Sequence, residues 1–171
     1  METWEAITSR RNVRQFEGRP LQETDLHRIL EAGRRAPSSR NWQPWDFIVV
    51  TERAQLVEMA KVWRGGGHIA ESSATVAIVL EKSDDARLRE TARFDVGQAA
   101  MQMMIAAADL GIGSGHSAVG DEDLARELLG FPEDHFLAVM IDFGFPADRP
   151  LAPISKPDRR PFDEVVHRGH W

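Results

Sequence analysis

No cysteine occurs among the 171 residues, and that absence removes disulfides, thiolate nucleophiles and Cys-ligated zinc or iron–sulfur centres together. Long apolar runs are also missing. The longest, 99–108, is interrupted by Gln102 and falls short of the ~20 residues a membrane span needs. The opening Met-Glu-Thr-Trp-Glu lacks the basic and apolar regions of a secretory signal, so the expected location is the cytoplasm. Positive charge is in deficit, 21 Lys and Arg against 27 Asp and Glu. A net charge of −6 argues against a nucleic-acid partner, which needs a basic face to displace counterions. Neither a solenoid-period repeat nor a low-complexity segment is present.

What is present fits one domain over residues 1–171, long enough to bury roughly 70% of its unfolded surface. Charge is unevenly placed: between Ser9 and Arg40 lie eight arginines against four acids. A local surplus of that kind suits a small anionic ligand, or else a solvated, salt-bridged helix surface.

Thr3 is positioned to cap a first helix with Trp4 and Ile7 facing inward, and Thr24 to cap a second bearing Leu26, Ile29, Leu30 and Gly33 at helical spacing. A loop punctuated by Pro37 and Pro44 feeds a strand over 45–51, and a third helix over 54–63 stops at three glycines. The fully apolar run 74–80 predicts a central strand covered on both faces. Residues 84–110 read as a long helix, apolar nearly all round in its second half and therefore a buried core helix, ended by Gly111. Asp121 caps a helix running to Leu129, and 136–143 is a further strand. From Pro146 onward five prolines forbid regular structure. The tail 146–171 nevertheless carries Ile154, Phe162, Val165 and Trp171, too apolar for water, and is expected to dock. The count gives an α+β or layered α/β domain of about five helices around a small sheet.

Several familiar sites fail on spacing. Gly111-Ile-Gly-Ser-Gly115 follows a helix and lacks the acid of a dinucleotide fingerprint, and no P-loop or Gly-x-Ser-x-Gly elbow occurs. The histidines show no metal-ligand pattern; His116, after three glycines, is the one able to reach a cleft. Two constellations remain. Ser9-Arg10-Arg11-Asn12-Val13-Arg14 packs three cations and an amide at a helix end, able to grip a phosphate. Ala36-Pro37-Ser38-Ser39-Arg40-Asn41-Trp42-Gln43-Pro44-Trp45 offers hydroxyls and amides able to read a heteroaromatic edge. Each alone has an ordinary alternative, a basic helix end or a polar turn.

Together, and in this order, they resemble the FMN-dependent nitroreductase family. The likeness continues through Asp95-Val-Gly-Gln-Ala-Ala-Met-Gln-Met-Met-Ile-Ala-Ala-Ala-Asp-Leu-Gly-Ile-Gly113, similar to that family's central buried helix and glycine turn. It ends at Lys156-Pro-Asp-Arg-Arg-Pro-Phe-Asp-Glu-Val-Val166, similar to its basic tail. The resemblance implies a small, mixed, mainly antiparallel sheet flanked by helices, in a homodimer that exchanges its extended tail. It implies FMN phosphate among Arg10, Arg11 and Arg159 or Arg160, with Asn12 where Ser or Thr is commoner. Arg14 falls near the flavin N1/O2 edge; Pro37, Ser38, Ser39 and Asn41 would arrive from the partner. Gln43 and a turn of Gly113, Ser114, Gly115 and His116 fall near the isoalloxazine. The implied activity is ping-pong hydride transfer from NAD(P)H through flavin N5 to nitro compounds, quinones or similar planar acceptors, with no protein acid, base or metal required. Only about 25 residues, 111–135, stand where larger members insert a lid, which implies an open pocket. Flavin cleavage, dehalogenation and non-catalytic flavin binding are the alternatives on the same fold.

Overall fold

In the computed structural model, which describes residues 1–171, the chain runs α1 (Thr3–Ser9), α2 (Glu23–Arg34), β1 (Trp45–Val50), α3 (Arg53–Met59), β2 (Ala74–Glu81), α4 (Ala86–Asp109), β3 (Gly113–Ser117), α5 (Glu122–Leu129), β4 (His135–Gly144) and α6 (Phe162–Val165). The four strands form one antiparallel sheet in the order β1-β2-β4-β3. β2 is central and buried from Ala74 to Leu80, as a strand apolar on both faces must be.

The two sheet faces carry separate cores. On one, α2 and α4 cover Val76, Ile78, Ile141 and Phe143 with Ile29 and Met103. Gly33 is what lets these helices meet, because a Cβ there would stand 2.1 Å from Met103 Cε. On the other, α3 and α5 cover Ala77, Val79 and Met140 with Leu56, Met59 and Ala125. That second face also holds a polar knot. The fully buried Asp142 carboxylate accepts from Thr75 Oγ1 and Ser117 Oγ at 2.9 Å each, and His68 Nε2 lies 2.9 Å from its Oδ2.

Helix ends follow local chemistry. Asp85 accepts from Arg87 N at 2.8 Å to start α4, and Asp121 accepts from Leu124 N at 2.9 Å to start α5. Gly111 and Gly130, both at φ +72°, end these helices in the left-handed region that glycine enters without penalty. Other expectations need correcting. Glu2 and Gln22, in extended conformation, take the N-cap positions of α1 and α2, so Thr3 is a first helical residue and Thr24 lies inside its helix. Trp4 and Ile7 face outward, 74% and 44% exposed, because α1 buries its small face, Ala6 and Ser9, instead. α4 is not buried all round: Phe94 is 70% and Met101 42% exposed. The tail contains one short helical turn, α6, and its only backbone anchor to the body after residue 150 is Ile154 N donating to Thr8 O at 3.0 Å.

The glycine run 113–116 is a strand, not a turn. β3 pairs with β4 from Gly113↔Gly144 to Ser117↔Met140. Glycine is needed for close approach rather than for turning. A Cβ on Gly113 would meet Val13 Cγ2 at 2.7 Å, and one on Gly115 would meet Arg14 Nη1 at 2.1 Å and Val13 O at 2.6 Å. The segment after α1 thus lies directly on β3, bonded by Val13 N to Ser114 O at 2.9 Å and bridged from Asn12 to Ser114.

Candidate active site

That close approach fixes the first half of the site. Asn12 and Val13 run beside Ser114, so the side chains of Arg10, Asn12 and Arg14 emerge along the outer edge of β3. Arg14 Nη2 donates to His116 O at 2.9 Å, and Arg10 Nη1 reaches Asn12 Oδ1 at 3.5 Å. Neither guanidinium has a carboxylate partner. Arg10 and His116 stand at the rim of a cavity of about 370 Å³ between β4 and α4. Gly97, Met101, Met104 and Val139 are among the groups forming its apolar wall. No atom outside α4's own backbone lies within 4 Å of a Cβ built on Gly97, so that glycine keeps the cavity open. Partial burial, with the nearby Arg14 and Arg10, holds His116 below the ordinary histidine value and favours its neutral form.

Arg11 is turned elsewhere. Its Nη2 donates to Asp148 Oδ1 at 2.7 Å and to Arg149 O at 2.8 Å, and it holds the Asp148 carboxyl below its usual range. Arg159 and Arg160 bond locally, to Asp158 O at 2.6 Å and Glu164 O at 2.9 Å, and neither meets the Arg10 group.

The second half is the loop before β1. Ser39 N donates to the buried Asp95 Oδ2 at 3.0 Å, Gln43 N to Ser38 Oγ at 2.9 Å, and Gln43 Nε2 to Asn41 O at 3.1 Å. These bonds hold Arg40, Asn41 and Gln43 at φ +54°, +59° and +52°. Non-glycine residues in that region store strain, which clusters at ligand clamps. Pro37, Ser38 and Ser39 border a concavity with Phe94, Asp95 and Gln98 of α4.

One chain does not bring the two halves together. At 100° per residue the cavity-lining and loop-lining positions of α4 point about 120° apart. Phe94 and Met101, both exposed, form an apolar crest between them. Arg93, Gly97 and Met101 were hidden from motif reading because they lie within an uninterrupted helix. Their spacing of four, which stacks them on one face, is the signal that could have found them.

Comparison with known proteins gives the family and the fold. The Nitroreductase family model matches residues 7–71 and 66–145. The chain belongs to the nitroreductase family. Within it, the chain is 30% identical over 99% of its length, and 99% of the relative's, to an Archaeoglobus fulgidus protein named as a candidate NADH dehydrogenase/NAD(P)H nitroreductase. A crystal structure of a protein with the same name from Parabacteroides distasonis superposes with TM-score 0.82 at 25% identity, covering 99% and 98% of the two chains. The NADPH:FMN oxidoreductase of Vibrio harveyi, solved with NAD+, shares the fold at TM-score 0.86 and 24% identity, over 99% of this chain and 77% of that one. This nitroreductase-family protein is an oxidoreductase with the expected α+β fold. No helix in it is long and apolar enough to cross a membrane.

Proposed function

We propose that the protein is a homodimeric, FMN-dependent NAD(P)H oxidoreductase of the cytoplasm acting on nitro compounds, quinones or similar planar acceptors. The observation that carries this reading is the division of the site across α4. Packing two crests together about a twofold axis would cover Phe94 and Met101 and carry each serine–asparagine loop toward the other copy's arginine cavity. The exposed Phe162, Val165 and Trp171 of the tail would then find cover on the partner, and Arg159 or Arg160 would reach the partner's site.

The residues present fit FMN. Arg10 and Asn12 offer free donors for a phosphate, and Arg11, whose Nη2 is paired with Asp148, keeps a buried Nε without a partner. The flat wall around Gly97 and Met104 suits an aromatic ring system. When bound, FMN would supply hydride transfer through N5 between NAD(P)H and a second molecule in the same slot, a ping-pong cycle. Arg14, clamped on the His116 carbonyl, would present fixed positive charge to the N1/O2 edge without reorganisation. Ser38, Ser39 and Asn41 of the second copy, with Gln43 and the Gly113–Ser117 strand, orient the ring and exclude water.

The purified protein should be yellow, bleach on anaerobic addition of NADH or NADPH, and regain colour with a nitroarene. A yellow protein that never bleaches would reduce the reading to a flavin-binding module, and one unable to take up FMN would reject it.

A further inference from the structure

Arg93 has no task in that scheme. It lines the same cavity as Arg10 and His116, one turn before Gly97. No carboxylate pairs with it; its one aromatic neighbour is Phe136, whose ring centroid lies 5.7 Å from the guanidinium carbon. The other cations of the region have a partner or a task in that scheme: Arg14 bonds backbone carbonyls, Arg11 pairs with Asp148, and Arg10 is given to the phosphate. No acidic side chain lines the cavity, although the chain as a whole carries −6. His116 is neutral near pH 7 for the reasons given above. With Arg10 given to the phosphate, the unpaired guanidinium left without a task is Arg93, beside the wall of Gly97, Met101 and Met104.

A neutral planar molecule would leave this cation with nothing to bind. A carboxylate in the plane of an aromatic ring would meet its fork with two parallel hydrogen bonds while the ring stacked on the flavin that covers the apolar wall. We propose that Arg93 is a specificity-determining residue that anchors an acidic group on the acceptor, so that the preferred acceptors are planar aromatic acids rather than their neutral analogues. The inference rests on the flavin oxidoreductase reading, since it concerns the second molecule to enter the slot.

The test uses the purified holoenzyme with 4-nitrobenzoate and 4-nitrobenzamide, which share ring and nitro group and differ in charge. Wild type should favour the acid in kcat/KM by about tenfold or more, as a charged hydrogen-bonded pair supplies. Arg93→Met should abolish that preference through a higher KM for the acid, leave the amide within about twofold, and leave the NADH KM unchanged; Arg93→Lys should restore part of it. Benzoate, which cannot be reduced, should bind wild type in calorimetry and bind Arg93→Met at least about tenfold more weakly. Equal rates for acid and amide, equal effects of Arg93→Met on both, or an effect confined to NADH would overturn the proposal. Absence of flavin or of bleaching would instead overturn the functional reading, and the benzoate titration would still decide for or against Arg93.

Discussion

The two faces of the sheet solve opposite problems. Behind α3 and α5, every polar group of the Asp142 knot has a partner, and Thr75, Ser117 and Asp142 are fully buried. On the α4 face, Arg10, Arg14 and Arg93 have no carboxylate partner, and three large apolar side chains of α4, Leu88, Phe94 and Met101, stand in water. Satisfied buried polar groups hold a fold in one arrangement, whereas unpaired cations beside a cavity are free to attract an anion. Substitutions behind the sheet should therefore cost stability, and those in front should cost binding.

The largest effect is expected at the knot. Asp142→Ala would leave His68, Thr75 and Ser117 without their common acceptor and should cost about 3–5 kcal/mol in urea unfolding. A loss below about 1 kcal/mol, the size of an exposed pair, would erase the contrast between the faces. Next comes the front face as an interface. A chain ending before Pro153 should sediment as a monomer, because the tail's apolar groups would no longer clamp a partner; an intact dimer would contradict this. Arg10→Ala should then weaken FMN by about 1.5–3 kcal/mol, the worth of a charged hydrogen bond, while leaving urea stability within about 0.5 kcal/mol. Unaltered FMN affinity would remove Arg10 from the phosphate site.

The smallest effect sharpens the contrast through pH. His116 is held below its unfolded value, so the unfolded chain binds that proton more readily. Its contribution is complete above about pH 6.5, the ordinary histidine value, and is lost as pH falls into the window below it. His116→Gln should flatten that part of the stability profile. If the slope persists, it belongs to another group.

Much of the back face was legible in the sequence, because its signals are local. The apolar run of β2, the Asp121 cap of α5 and the end of that helix at Leu129 each depend on neighbouring residues alone. β3 was misread for the same reason: its glycines look like a turn until Val13 and Arg14 are seen lying against them. The exposure of Trp4 and Phe94 escaped pattern reading, since helical spacing shows that a face exists and not which way it points. In the site, the chemical character of Arg10, Asn12, Arg14 and the Ser38–Asn41 loop could be read from motifs. Their separation across α4 could not, because it depends on how the helix is rotated against the sheet. Arg11 looked equivalent to Arg10 until Asp148, 137 residues away, proved to claim it.

Gly97 carries one more consequence. A glycine inside a helix costs about 0.5–1 kcal/mol relative to alanine, and nothing beyond the helix's own backbone fills the space beside this one. The protein therefore gives up rigidity to keep a hollow, and that makes the position a natural dial for engineering. Alanine, then valine, then leucine there would stiffen the backbone or narrow the opening in graded steps, admitting slimmer guests while shutting out broader ones, without touching any charge.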